Sequence, residues 1–250
     1  MNIMKYIAII LALFVWTGNS IAQEIDGYGN EETFDSKEIK LNDNCTIHLK
    51  EISQSEYIAK AEKSYPQNEP YIAITDINKA VKMLGKRFKI IELKEDWIQY
   101  KYEITFKDGT KKRLDDDDYY FVAYFPQLKI LYFRGGHESD QPFDLNNSNY
   151  IDDRWIDFPY RIKTGNPEFH SVSPDKQLRI NGLHDGQDCV MRFLEKWNKR
   201  KKTYEFIGWL WGENHIFDIC YAENFLWTSN NNAIFTKSTD KFYEIEVIAK

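Results

Sequence analysis

The sequence predicts a mainly β protein, an antiparallel meander or open sandwich with a small N-terminal α+β portion. From Phe88 onward, apolar and aromatic residues come in short runs separated by turn residues, the spacing of a meander. The chain holds 7 Trp, 16 Tyr and 16 Phe, residues enriched in strands and scarce in disordered chains. No strand-helix alternation is visible, which argues against a parallel nucleotide-binding α/β sheet. At 250 residues the chain is long enough to bury a sizeable core.

Taken in order, residues 1–22 read as a secretory signal. Lys5 supplies the positive start, Tyr6 to Trp16 is an unbroken apolar run, and Ser20-Ile21-Ala22 ends it with small residues at alternate positions. The run is well short of the ~20 residues a membrane-spanning helix needs. No Cys stands at the expected new N-terminus, Gln23, to carry a lipid, so the expectation is an exported protein, periplasmic or extracellular and soluble after cleavage. Residues 23–38 read as a flexible leader and 39–95 as an α+β segment packed on the sheet. Ile39 to Ile52 alternates enough for one or two strands, and a polar helix around Ser55 to Ser64 ends at Pro66. The clearest helix follows, with Thr75 or Asp76 as cap, an apolar face of Ile77, Ala80, Val81 and Leu84, and Gly85 at its end.

Residues 96–250 read as the β-meander domain. Trp97 to Phe106 and Lys111 to Leu114 flank Asp108-Gly109, a pair suited to the positive φ of tight hairpins. Further strands are expected at Tyr119–Phe125, Lys129–Phe133, Gln177–Asn181, Val190–Trp197, Tyr204–Leu210, Ile216–Tyr221, Ala233–Thr236 and Phe242–Ile248. Export permits disulfides, and Cys189 with Cys220, both in aromatic segments, is the expected pair; two buried thiols would fit the same residues. Cys45 is then odd and is expected to be a buried thiol.

Three segments share a turn followed by a strand: Tyr124 to Tyr132, Val172 to Ile180 and Trp227 to Phe235. Ser173-Pro174-Asp175-Lys176 and Trp227-Thr228-Ser229-Asn230-Asn231 resemble the turns of WD40-like and TolB-like β-propeller blades, a likeness covering about residues 119–250. The resemblance implies propeller-like blades, although closed propellers need about 4 to 8 repeats and three are visible. In its Asn, Lys, Tyr and Ile usage the chain also resembles exported proteins of Bacteroidetes-type bacteria, which implies no activity.

The formal charge of −6, which becomes −7 once Lys5 is removed with the signal, does not suit a nucleic-acid partner. The basic run Lys199 to Lys202 reads as a solvated hairpin tip. Four consecutive carboxylates, Asp115, Asp116, Asp117 and Asp118, offer oxygen ligands to a hard cation such as Ca²⁺, and a solvated loop explains them as well. No other cofactor is expected. His137, Glu138 and Asp140 follow Gly135-Gly136 in a loop, and His184 stands five residues before Cys189. Carboxylates and His are the groups of acid-base hydrolysis, yet no nucleophile elbow or zinc spacing accompanies them. Trp209, Trp211 and Trp227 lie in stretches so apolar that some rings are candidates for the surface, as platforms for a sugar or a protein, and core packing explains the same rings. The leading expectation is therefore a non-catalytic exported module binding an unknown protein or glycan, without a membrane span. The alternative is a periplasmic hydrolase.

Overall fold

The structure, a computed structural model, describes residues 36–66, 70–94, 99–114, 119–146, 165–184, 186, 189–210 and 219–249. The protein is mainly β, with four antiparallel sheets and, among the described residues, no closed barrel. Residues 34–250 form one compact unit.

The first two strands, β1 (Ser36–Asn42) and β2 (Cys45–Ile52), form a hairpin. Along β2 the residues Cys45, Ile47 and Leu49 are buried while Thr46, His48 and Lys50 are not, the period of two expected of a strand with one dry face. Helix α1 (Gln54–Ala61) starts in a capping box. The Glu56 N–H donates to Ser53 Oγ at 3.2 Å and the Ser53 N–H to Glu56 Oε2 at 3.3 Å, an arrangement worth about 1 kcal/mol. Helix α2 (Ile77–Leu84) is capped by the Asp76 carboxylate, which accepts from the N–H groups of Asn78 and Lys79, and it ends at Gly85 with φ 56°.

The remaining strands follow as consecutive meanders. Strands β3 (Phe88–Lys94), β4 (Gln99–Thr105) and β5 (Lys111–Leu114) make one sheet, with Gly109 at φ 88° in the expected hairpin turn. Strands β6 (Tyr120–Phe125), β7 (Ile130–Arg134) and β8 (Asp140–Asp144) make a second. Strands β9 (Ser171–Val172), β10 (Leu178–His184), β11 (Val190–Asn198) and β12 (Thr203–Trp209) make a third. The fourth contains β13 (Glu223–Trp227), β14 (Asn232–Thr236) and β15 (Phe242–Ala249), and there the two chain ends meet. β15 pairs with β2 from Phe242↔Ile52 to Ala249↔Cys45, giving the order β1-β2-β15-β14-β13.

That pairing changes the expected division of the chain. The N-terminal strands lie within a sheet of the meander rather than on top of one, and β1 begins at Ser36, inside the stretch read as leader. The boundary drawn after residue 95 falls between β3 and β4, which are hydrogen-bonded neighbours. The strand expected at Ile216–Tyr221 is not found over its described residues 219–221. The strand is instead Glu223–Trp227.

The three repeated segments hold equivalent places. Each spans the turn between an edge strand of its sheet and the strand beside it, β6-β7, β9-β10 and β13-β14. Serine ties two of these turns. Ser173 Oγ accepts the Leu178 N–H at 2.9 Å and donates to Asp175 Oδ1 at 2.8 Å, while Ser229 Oγ accepts the Asn232 N–H at 2.9 Å.

The sheets pack face to face. Ile47, Leu49, Phe235, Tyr243 and Ile245 of the fourth sheet meet Leu178, Ile180 and Leu194 of the third. Phe88, Tyr102 and Ile104 meet Leu131, Phe133 and Phe143 across the first two sheets, beneath Ala80 of α2. Strands β7 and β11 are buried on both faces, so their buried residues run continuously rather than alternating. Cys189 and Cys220 form a disulfide with Cα atoms 4.6 Å apart, tying β11 to the segment before β13. Among the described residues no helix is long and apolar enough to cross a membrane.

Candidate functional site

A cavity of about 590 Å³ opens where two sheet edges meet. β9 is the edge strand of the third sheet and β13 that of the fourth. An unpaired strand edge is a hazard unless something covers it. Here the edges cover each other: Ser171 Oγ donates to the Phe225 carbonyl at 3.1 Å. The segment leaving α1 joins them, the Tyr65 N–H donating to the Trp227 carbonyl at 2.9 Å. The 3-10 turn Pro167–Phe169, capped by Asn166, then places Phe169 and His170 in the wall just before β9.

Arg192 is the unusual member of the lining. It is the third residue of β11, among the apolar residues Met191, Phe193 and Leu194, and is 6% exposed. Its guanidinium carbon lies 4.4 Å from the centre of the Phe169 ring and 5.4 Å from that of Phe225. Nε donates to the Ala222 carbonyl at 3.3 Å. Among the described residues no carboxylate oxygen comes within 4.0 Å of the guanidinium. Burial therefore lowers its pKa to about 10, partly opposed by the more distant carboxylates of Glu223 and Asp140. It remains a cation at neutral pH, held by ring quadrupoles and one carbonyl where buried charges are ordinarily paired.

Two further residues of the same wall carry buried polar atoms. Trp227 is 3% exposed, and its indole Nε1 has no hydrogen-bond partner among the described residues. His170 Nε2 is buried and likewise unpartnered. Arg179 Nη1, which can only donate, lies 3.4 Å from His170 Nδ1, and the Tyr71 hydroxyl 3.3 Å from it. Nδ1 therefore accepts and Nε2 carries the proton. Burial, and then the positive charge of Arg179, push the His170 pKa well below the ordinary 6.5, so the ring is neutral. Arg179 is itself locked behind the wall, its Nε 2.5 Å from Glu195 Oε2 and its guanidinium stacked 4.2 Å from the Tyr204 ring centre. Asn181 donates to the same carboxylate at 3.2 Å.

The residues singled out for acid-base chemistry lie elsewhere. Asp140, at the start of β8, is buried and accepts three hydrogen bonds: from the Tyr132 hydroxyl at 2.5 Å, Asn166 Nδ2 at 3.1 Å and the His184 N–H at 2.7 Å. The structure thus brings Asp140 and His184 together, but through the histidine's backbone, while its ring Nδ1 accepts the Gly186 N–H at 3.2 Å. A Cβ at Gly186 would come 2.8 Å from Ser139 Cβ, so glycine lets these two loops close on each other. His137 and Glu138 are exposed, and Glu138 lies 3.8 Å from Arg134. None of these residues lines the cavity.

The tryptophans expected as surface platforms are corrected. Trp209 is 6% exposed and packs edge-on against Phe193 beside Leu183 and Met191, and Trp227 is 3% exposed in the main core while also lining the cavity. Trp211 and the aspartates 115–118 lie outside the described residues, and among the described residues no group of His, Cys, Asp or Glu is arranged to hold a metal ion. Cys45 is a buried free thiol whose pKa burial raises, which makes it inert. Lys199 to Lys202 form the exposed tip between β11 and β12, with Lys201 2.6 Å from Glu205.

Sequence reasoning missed Phe169, His170, Arg192 and Phe225 as cavity residues. One signal was available: Arg192 and Glu195 interrupt the apolar run of β11, and a charge at a core position asks for a partner. The chain matches no family model, no curated protein and no solved structure.

Proposed function

We propose that this chain is an exported, non-catalytic binding module that takes a protein segment or a glycan into the cavity between β9 and β13. The observation that carries this reading is the cavity itself: about 590 Å³, within the usual ligand range, with Arg192 set between Phe169 and Phe225 in its wall. Aromatic rings around one fixed charge are a common recognition arrangement, offering apolar area and one orienting group. Support for export comes from the signal-like residues 1–22 and from the Cys189–Cys220 disulfide, a bond that persists in oxidising compartments. The one-per-sheet placement of the repeated turns supports a propeller-like arrangement of the meanders.

A cavity-filling substitution tests the reading. Val172 lines the cavity on the edge strand β9, and Val172→Trp is expected to occupy it while leaving the stacked core in place. The full chain, expressed with its own leader and purified after export, is presented with an envelope extract and a panel of envelope glycans. The expected result is a ligand held by the wild type and released by Val172→Trp, with thermal midpoints within a few degrees of each other. A ligand held equally by both proteins would place binding outside the cavity.

A further inference from the structure

We infer that the group bound against Arg192 is a carboxylate carried by a small organic acid or an acidic sugar; the inference rests on the proposed binding role of the cavity. The buried part of the wall carries a cation without a counter-charge. Arg192 presents a guanidinium with no carboxylate within ion-pairing distance among the described residues. A buried, unpaired cation is costly, and one anionic acceptor is the species that satisfies it. The planar guanidinium fork matches a planar carboxylate in a bidentate pair. The exposed part of the lining fixes the ligand's charge. Glu168 and Glu223 stand there with Lys176, so the lining with Arg192 is balanced, and a dianion such as phosphate would meet two carboxylates on its way in. The rings of Phe169 and Phe225 beside the cation leave apolar surface for the body of the acid.

Calorimetric titration of the purified full chain with two acids and their neutral counterparts tests this: glucuronate against methyl glucoside, and phenylacetate against phenylacetamide, with inorganic sulfate as a further arm. At least one acid is expected to bind about tenfold or more tightly than its neutral counterpart, the factor expected of one charge-assisted pair. Which acid does so identifies the source of the carboxylate. Arg192→Gln is expected to abolish the preference. Because that variant disturbs a buried position, Glu223→Gln on the exposed lining supplies the second arm: it removes a nearby negative charge and is expected to strengthen acid binding roughly threefold with no effect on the neutral compounds. Equal binding of acid and neutral compound, a preference surviving Arg192→Gln, sulfate binding as tightly as either acid, or no binding of either acid would each overturn the carboxylate assignment. Neutral compounds that bind and are displaced by Val172→Trp would leave the binding role standing while the carboxylate falls.

Discussion

At the scale of single residues, the buried histidine gives the most direct pH prediction. His170 is neutral in the folded protein, with a pKa well below 6.5, because burial and Arg179 both disfavour its charged form. Above the unfolded value neither state binds the proton, and the residue makes no pH-dependent contribution. As pH falls below about 6.5 the unfolded chain takes up a proton that the folded chain refuses, so stability declines by up to about 1.4 kcal/mol per pH unit until the folded pKa is reached. Urea unfolding between pH 7 and pH 5 is expected to show this slope, reduced by one proton's worth in His170→Gln. An identical slope in the two proteins would mean that His170 takes up its proton equally in the folded and unfolded states, and that its pKa is not lowered by the fold. Single residues are also where the sequence was least legible. The burial of Cys45 followed from its place in an alternating strand, but the cavity residues come from four separate segments, and only the fold brings them to one wall.

At the scale of elements, patterns with a local cause were read correctly. The helix after Asp76, the Asp108-Gly109 hairpin and the alternating strand at Cys45 each carry their own cap, turn residue or period. Elements whose cause is tertiary were missed. β8 contains Pro142 and a polar start at Asp140-Gln141, and it is a strand because β7 supplies its partner. β13 lies after the segment expected as a strand at Ile216–Tyr221, and it is a strand because β14 supplies its partner, with a register shift between Glu223 and Leu226. The Cys189–Cys220 disulfide joins elements 31 residues apart in sequence, beside Leu183, Met191, Phe193 and Trp209. A loop of that length is expected to contribute about 2–4 kcal/mol by restricting the unfolded chain. The Cys189→Ser, Cys220→Ser double variant should therefore lower the thermal midpoint by roughly 5–15 °C for a chain of this size, measured without reductant. An unchanged midpoint would mean that the bond is not formed in the folded protein.

At the scale of the whole molecule, the mainly β class was legible in the sequence but the pairing of the first strands with the last was not. The three turn-strand segments each join an edge strand to its neighbour. The pairing of β2 with β15, by contrast, joins residues about two hundred positions apart, and no local pattern announces a contact of that range. It also explains why the N-terminal strands could not be set apart as a separate segment. The same assembly creates the seam: β9 and β13 become neighbours only when the third and fourth sheets stack, and the cavity opens between their edges.

Photo-crosslinking in cells that produce the chain addresses that seam most directly. Tyr65 lines the cavity and is 50% exposed, while Tyr120, at 45%, lies on β6 and does not line it. With a benzophenone side chain installed at one position or the other, the expected result is an adduct from position 65 that disappears when Val172→Trp is added, and none from position 120. Adducts of equal yield from both positions, or an adduct at 65 that persists with the cavity filled, would contradict a ligand bound between β9 and β13.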